Sequence, residues 1–160
     1  MLDVKGKTEI RRAEVADAPA ISRLIYSTSV ACCFTPEQPC PDWYEESVQP
    51  ARIQELIGSG NMVWLVALQE NSPVGVLAVS DRSHVKYFFV QPSCQKMGIG
   101  RQLWDYAARG GWLADTLTVR SSLCAVPVYA RLGFRAVEPP KIANGVYYQT
   151  MTSARVLNDD

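Results

Sequence analysis

One histidine, His84, stands in the whole chain, and the five cysteines (Cys32, Cys33, Cys40, Cys94 and Cys124) include no Cys-x-x-Cys pair. That donor set is too poor for zinc, so no metal is expected, and a Cys-His nucleophile pair would have to be built on that one imidazole. The cysteines read instead as free, mostly buried thiols in a reducing compartment, where cysteine behaves as a small hydrophobe. An excess of charge of one sign is also missing: 16 Lys and Arg balance 16 Asp and Glu. A nucleic-acid surface would need a cationic surplus, so no nucleic-acid partner is expected, although a local basic pocket is still allowed. No apolar run is long enough to span a bilayer, and Met1 to Lys7 carries no apolar run of signal-peptide length. The expectation is a cytoplasmic protein with no membrane partner. Internal repeats and low-complexity tracts are absent too, and 160 residues suit one domain with one sizeable core.

What is present alternates between strand and helix patterns. Glu9 to Arg12 reads as a short strand. Asp17-Ala18-Pro19 then supplies an N-cap and an early proline for a helix through Ile21, Leu24, Ile25 and Thr28. Pro36, Pro39 and Pro41 forbid a continuous helix over Thr35 to Pro41, which reads as a substrate-side loop. Pro50 to Ile57 reads as a second helix, stopped by Gly58 and Gly60. Met62 to Leu68, Val74 to Ser80 and Val85 to Val90 read as three strands of an antiparallel meander, turning at Asn71-Ser72-Pro73 and Asp81-Arg82-Ser83. A helix follows Gly98 through Leu103, Trp104, Ala107 and Ala108, weakened by Gly110-Gly111. Leu117 to Val119 is a buried strand, Ala125 to Leu132 a helix closed by Gly133, and strands begin at Phe134 and at Val146. The order β-α-α-β-β-β-α-β-α-β-β predicts an α+β domain: a mixed, mostly antiparallel sheet with helices on both faces.

One stretch of this order carries chemistry. A strand ending at Val90 passes Pro92 and reaches Gln95-Lys96-Met97-Gly98-Ile99-Gly100-Arg101 at a helix start. The first turn of a helix has unpaired amides and roughly half a positive charge, and glycines let an anion approach them. Gln95, Lys96 and Arg101 add side-chain donors, so the loop suits a pyrophosphate. The glycines alone would serve equally as a tight strand-to-helix turn. A Rossmann fingerprint is excluded by the missing third glycine and downstream acid, and a Walker A loop by the missing Gly-Lys-Ser/Thr.

Val90-x-Pro92 followed by Gln95-x-x-Gly98-x-Gly100 resembles the central motif of the GNAT superfamily of N-acetyltransferases. Downstream, Val119-Arg120-Ser121-Ser122 and Ala125-Val126-Pro127-Val128-Tyr129-Ala130-Arg131-Leu132-Gly133-Phe134 are similar to that superfamily's second signature. The resemblance covers about residues 8 to 152. It implies the GNAT fold with a splayed central strand pair, and acetyl-CoA as co-substrate. It further implies transfer of the acetyl group to a primary amine of a small molecule, peptide or protein by direct attack. A non-catalytic acyl-CoA-binding regulatory module is the alternative, and a homodimer is compatible with either.

By the same resemblance the backbone of Phe88, Phe89 and Val90 would bind the pantetheine arm, residues 95 to 101 the pyrophosphate, and Ser122 the CoA as well. The side chains of Phe88 and Phe89 are expected in the core. Tyr129 takes the position of the family's general acid; a phenol, protonated at neutral pH, suits protonation of the CoA sulfur. Its alternative is an ordinary amphipathic helix residue. Counting back from Val90 in steps of two puts Phe88, Lys86 and His84 on one strand face. His84 is the candidate base, direct or through water, with a solvated strand-end residue as the alternative. Arg120 replaces the asparagine of many members and would favour an acidic substrate or meet a CoA phosphate. On the acceptor side Glu37, Asp42, Glu45 and Glu46, with Trp43 and Tyr44, form either a site for a cationic amine or a solvated acidic loop.

Overall fold

The computed structural model describes residues 7–154. Met1–Gly6, read above as lacking a signal-type run, and residues 155–160 lie outside the described residues, so the ends of the expected domain do too. Strand β1 is Glu9–Arg12, and a 3-10 turn over Val15–Asp17 leads into helix α1, Ala18–Cys33. Helices α2, Asp42–Ser47, and α3, Pro50–Gly58, precede the meander β2, Met62–Gln69, β3, Ser72–Ser80, and β4, His84–Val90. Helix α4, Ile99–Arg109, strand β5, Thr116–Ser121, and helix α5, Val126–Arg131, complete the middle of the chain. Strands β6, Arg135–Ala136, β7, Lys141–Ala143, and β8, Val146–Ala154, close it. The strands pair in the order β1-β2-β3-β4-β5-β8-β6, with β7 on β8. Every pairing is antiparallel except β4 with β5.

Helices cover both faces of the sheet, as the composition of β2 and β3 requires. Leu65, Ala67, Leu77 and Val79 point to the face holding Ile99, Leu103, Trp104 and Ala107 of α4. Trp64, Val66, Val76 and Ala78, alternating with them, point to the face holding Ile21, Leu24 and Ile25 of α1 and Ile53 of α3. Strands buried on both faces read as continuous apolar runs. Each fully buried Leu or Ile contributes roughly 1.5–3 kcal/mol. Among the described residues no helix is long and apolar enough to cross a membrane.

Three local readings change. Asp17 stands at the N-cap of α1 but makes no side-chain cap bond. The preceding 3-10 turn has already rotated it into helical φ/ψ, so its carboxylate faces back. It accepts from Arg11 Nη1 and Nη2 at 2.8 and 3.0 Å and from the Glu14 amide at 2.7 Å. The loop over Thr35 to Pro41 is present, and helix α2, which the sequence pattern did not predict, follows it directly. The loop ends at Pro41, whose extended ψ of 152° starts the helix, with Asp42 and Glu45 against the positive end of its dipole. Strand β7 was not foreseen, although Asn144-Gly145, both at positive φ (49° and 88°), makes the two-residue hairpin turn to β8. The thiols are also less buried than expected: Cys94 is buried, Cys32, Cys33 and Cys40 are half-buried, and Cys124 is exposed.

Gly75 fixes how closely α4 approaches the sheet. A Cβ there would stand 3.1 Å from Leu103 Cδ1 and 3.2 Å from Ile99 Cγ2. Gly75→Val therefore overpacks the contact that seats the start of α4, and should cost about 1–3 kcal/mol, read as a lower urea midpoint.

Candidate functional site

The site begins with one extra residue in β4. Ala78 pairs with Tyr87 and Val79 with Val85, so Lys86 is bulged out of the ladder. On the other side β4 pairs with β5 only through His84↔Thr118 and Val85↔Val119. A bulge bends and twists its strand. From Lys86 onward β4 keeps β3 and leaves β5, and a slot opens between the two strands.

The bulge also overturns the steps-of-two count. Val85 and Phe88 both pack on the α4 face, while Tyr87 and Phe89 pack on the α1 face. His84, next to Val85, therefore points to the face opposite Phe88. Phe88 and Phe89 are half-buried and belong to the two cores, as expected of their side chains.

At the open end of the slot lies the loop from Gln95 to Arg101. Lys96 and Gly98 take left-handed backbone (φ 69° and 80°) on either side of Met97. Left-handed residues interleaved with others turn successive amides to one side, making a concave anion nest. Among the described residues the amides of residues 96 to 101 have no protein acceptor, and the first helical bond into α4 is Gln102 N to Gly98 O at 3.0 Å. Beyond its two chain neighbours, no atom of the described residues lies within 4 Å of where a Cβ on Gly98 would be, so the concavity is open. The side chains differ in part. Ile99 is 1% exposed and anchors α4, so only its amide faces the nest, whereas Lys96, Met97 and Arg101 are exposed. Gln95 Nε2 donates to Val90 O at 2.8 Å, covering the last carbonyl of β4.

Tyr129 projects from α5 toward the slot. Its ring meets Phe88 (5.9 Å) and Phe134 (5.4 Å), and Gly133 at φ 101° turns the chain so that Phe134 returns under it. The residue is 6% exposed, and burial raises its pKa well above the usual phenol value, with the nearby Cys33 adding to the rise. The hydroxyl is not sealed: among the described residues the enclosed, partnerless side-chain atoms are Thr28 Oγ1 and Trp64 Nε1. Ser122 follows β5 and starts the 3-10 turn Leu123–Ala125, with its Oγ 3.6 Å from Cys124 Sγ.

His84 sits at the closed end of the slot, with Nδ1 2.8 Å from Thr118 Oγ1. Phe88 is four positions further along, roughly 13 Å of strand, so His84 is not beside the Tyr129 hydroxyl. It shares its face with Thr118 and Arg120, and the Arg120 guanidinium lies over the Tyr148 ring at 5.5 Å. The acidic segment is anchored by its aromatics. Tyr44 Oη is 2.8 Å from Ser29 Oγ, and Trp43 Nε1 donates to Asn144 O at 2.7 Å. Both rings are thereby fixed in place, and Trp43 is still 44% exposed. The same contact forms a wall between α2 and the β7–β8 hairpin, beside an open cleft of about 480 Å³ lined by Glu37, Asp42, Ile142 and Gly145 among others.

A family model for the acetyltransferase (GNAT) domain matches residues 33–154. No curated protein sequence matches the chain. Among solved structures, a GCN5-related N-acetyltransferase from Rhodopseudomonas palustris superposes with a TM-score of 0.72 at 22% identity, covering 92% of this chain and 96% of that one. PaiA N-acetyltransferase from Thermoplasma acidophilum, solved with coenzyme A, gives 0.73 at 14% identity, covering 92% and 99%. An acyl-CoA N-acyltransferase from Pseudomonas aeruginosa gives 0.65 at 18% identity, covering 92% and 100%. At these identities the likeness shows the fold.

Desolvation holds the His84 pKa below its ordinary value, and the charges of Arg120 and Lys86 lower it further. A depressed histidine favours the native state fully above its unfolded pKa, about 6.5, and that contribution fades as pH falls below it. Because His84 is the one histidine, NMR of tag-free protein should show a single imidazole titrating below 6.5, moving up in Arg120→Ala. A titration at or above 6.5 would contradict this electrostatic account.

Proposed function

This chain belongs to the GNAT acetyltransferase family, and we propose that it moves the acetyl group of acetyl-CoA directly to a primary amine. The observation that carries the reading is the slot between β4 and β5, with the row of unpaired amides at its open end and the Tyr129 hydroxyl beside it. Six consecutive amides with no acceptor among the described residues, at the start of a helix, match a pyrophosphate in charge and in number of donors. A narrow cleft bordered by a strand edge without ladder partners matches an extended arm carrying amide groups, as pantetheine is.

In this reading the residue 96–101 amides hold the pyrophosphate, aided by Lys96 and Arg101. The β4 edge from Phe88 to Val90 pairs with the arm, and Ser122 contacts it across the slot. Gln95 must release the Val90 carbonyl or share it. The acceptor approaches from the α1 face, where the β5–β8 half of the sheet leaves Thr118 and Arg120 exposed. An alkylamine of pKa about 10.4 has to lose a proton before it can attack. His84 is neutral at pH 7 and lies on that face, so it acts through intervening water rather than by direct contact. Attack at the thioester carbonyl forms the new C–N bond; collapse breaks the C–S bond, and Tyr129 gives its proton to the departing sulfur. Its raised pKa keeps that proton in place until sulfur needs it.

The acceptor is the open half of the assignment. Glu37 and Asp42 on the cleft favour a cationic amine, while Arg120 and Lys86 near His84 favour an acceptor that also bears a carboxylate or phosphate. A panel of polyamines, amino acids, phosphorylated amines and peptides therefore brackets the chemistry. Thiol release from acetyl-CoA with at least one amine is expected, and Tyr129→Phe should lower kcat by about 10²-fold or more with the acetyl-CoA KM unchanged. Unchanged turnover in Tyr129→Phe would remove the acid role. CoA binding without turnover across the panel would favour a non-catalytic acyl-CoA-binding module.

A further inference from the structure

Beside the slot three thiols gather where α1 and β5 end. Cys32 and Cys33 close α1, and Cys124 stands in the 3-10 turn after β5. Cys124 Sγ donates to the Cys32 carbonyl at 2.8 Å, and Gln95 Nε2 of the amide-rich loop lies 3.8 Å from Cys32 Sγ. Ser122 and Cys124 act on the ionisation of the Cys33 thiol, which in turn acts on that of Tyr129. Acetyl transfer as derived above uses none of the three. Cys124 Sγ is thus held against the peptide that joins Cys32 to Cys33, in a segment 91 residues away, and closeness of this kind is the geometric precondition for a disulfide.

We propose that Cys124 is a thiol–disulfide exchange site with Cys33 as its resolving partner, and that small-molecule disulfides such as CoA disulfide or oxidised glutathione are its reactants. Cys124 is exposed and meets the reactant first. Its thiolate attacks one sulfur, the S–S bond breaks, and one small thiolate leaves, giving a mixed disulfide on Cys124. Cys33 then loses its proton to solvent and attacks the Cys124 sulfur, and the second small thiolate departs. Two protein thiols are oxidised by two electrons, and one small disulfide is reduced to two thiols. Burial pushes the Cys33 thiol up to about 12, so the first attack falls to Cys124 and the resolving step is slow and quickens with pH. The bond ties the end of α1 to the turn after β5, next to Ser122 and Gln95. Its consequence, that the tie blocks the slot, rests on the acetyl-CoA reading above; the bond itself does not.

The test exposes reduced full-length protein to oxidised glutathione, with and without desulfo-CoA, and maps disulfides by fragmentation mass spectrometry without reduction. The expected product has lost two hydrogens and carries a Cys33–Cys124 bond. Cys33→Ser should stop at a glutathione adduct on Cys124, and Cys124→Ser should form no bond to Cys33. Desulfo-CoA at ten times its Kd should slow the reaction about tenfold by filling the slot. A bond from Cys124 to Cys32 or Cys40, an adduct that never resolves, or no reaction at Cys124 would overturn the proposal. A Cys33–Cys124 bond formed at the same rate with bound desulfo-CoA would overturn the blocking consequence alone. Failure of desulfo-CoA to bind at all would count against the acetyl-CoA reading and leave the disulfide result standing.

Discussion

The bulge at Lys86 is the constraint on which the site depends. Among the described residues strands β4 and β5 are the one parallel pair in the sheet, and they stay paired for two residues. Without the extra residue the ladder would run on toward Val90 and Ser121, and the sheet would have no interior opening. Because both faces are already packed, by α4 on one side and α1 with α3 on the other, an opening can only form between strands. The bulge supplies it and also sorts the surroundings: Phe88 goes to the Tyr129 side and His84 to the other.

The second constraint is backbone geometry at the slot's open end. Lys96 accepts left-handed φ, which costs a non-glycine residue of order 1 kcal/mol or more, and Gly98 accepts it freely. The result is a row of amides left unpaired among the described residues. Strained backbone and unused donors in the same six residues make sense where a bound anion repairs the deficit. Ile99 and Gly75 hold the row in place, the first as a buried anchor and the second by letting that anchor sit against β3.

Much of this was legible in the chain. The apolar runs of β2 and β3, the Gly98-Ile99-Gly100 turn and the Tyr129 to Gly133-Phe134 spacing each report a local requirement, and local requirements leave local marks. The face of His84 was not legible, because a bulge shifts the two-residue alternation without a glycine or proline to announce it. Nor was the fate of Trp43 and Tyr44, whose partners Asn144 and Ser29 are 101 and 15 residues away. The thiol cluster was hidden for the same reason: Cys124 reaches the Cys32–Cys33 peptide only because α1 ends beside the turn after β5. The Asn144-Gly145 turn between β7 and β8, by contrast, is a local mark that the sequence carries openly.

The most direct check on the central claim, that the residue 96–101 amides are built for the pyrophosphate of acetyl-CoA, is a calorimetric comparison of acetyl-CoA with S-acetylpantetheine. Charge-assisted hydrogen bonds contribute about 1.5–3 kcal/mol each, so losing two or more should weaken binding by roughly a hundredfold or greater. Acetyl-CoA binding that is at least that much tighter is the predicted result. Equal affinity for the two, or no affinity for acetyl-CoA, would contradict it.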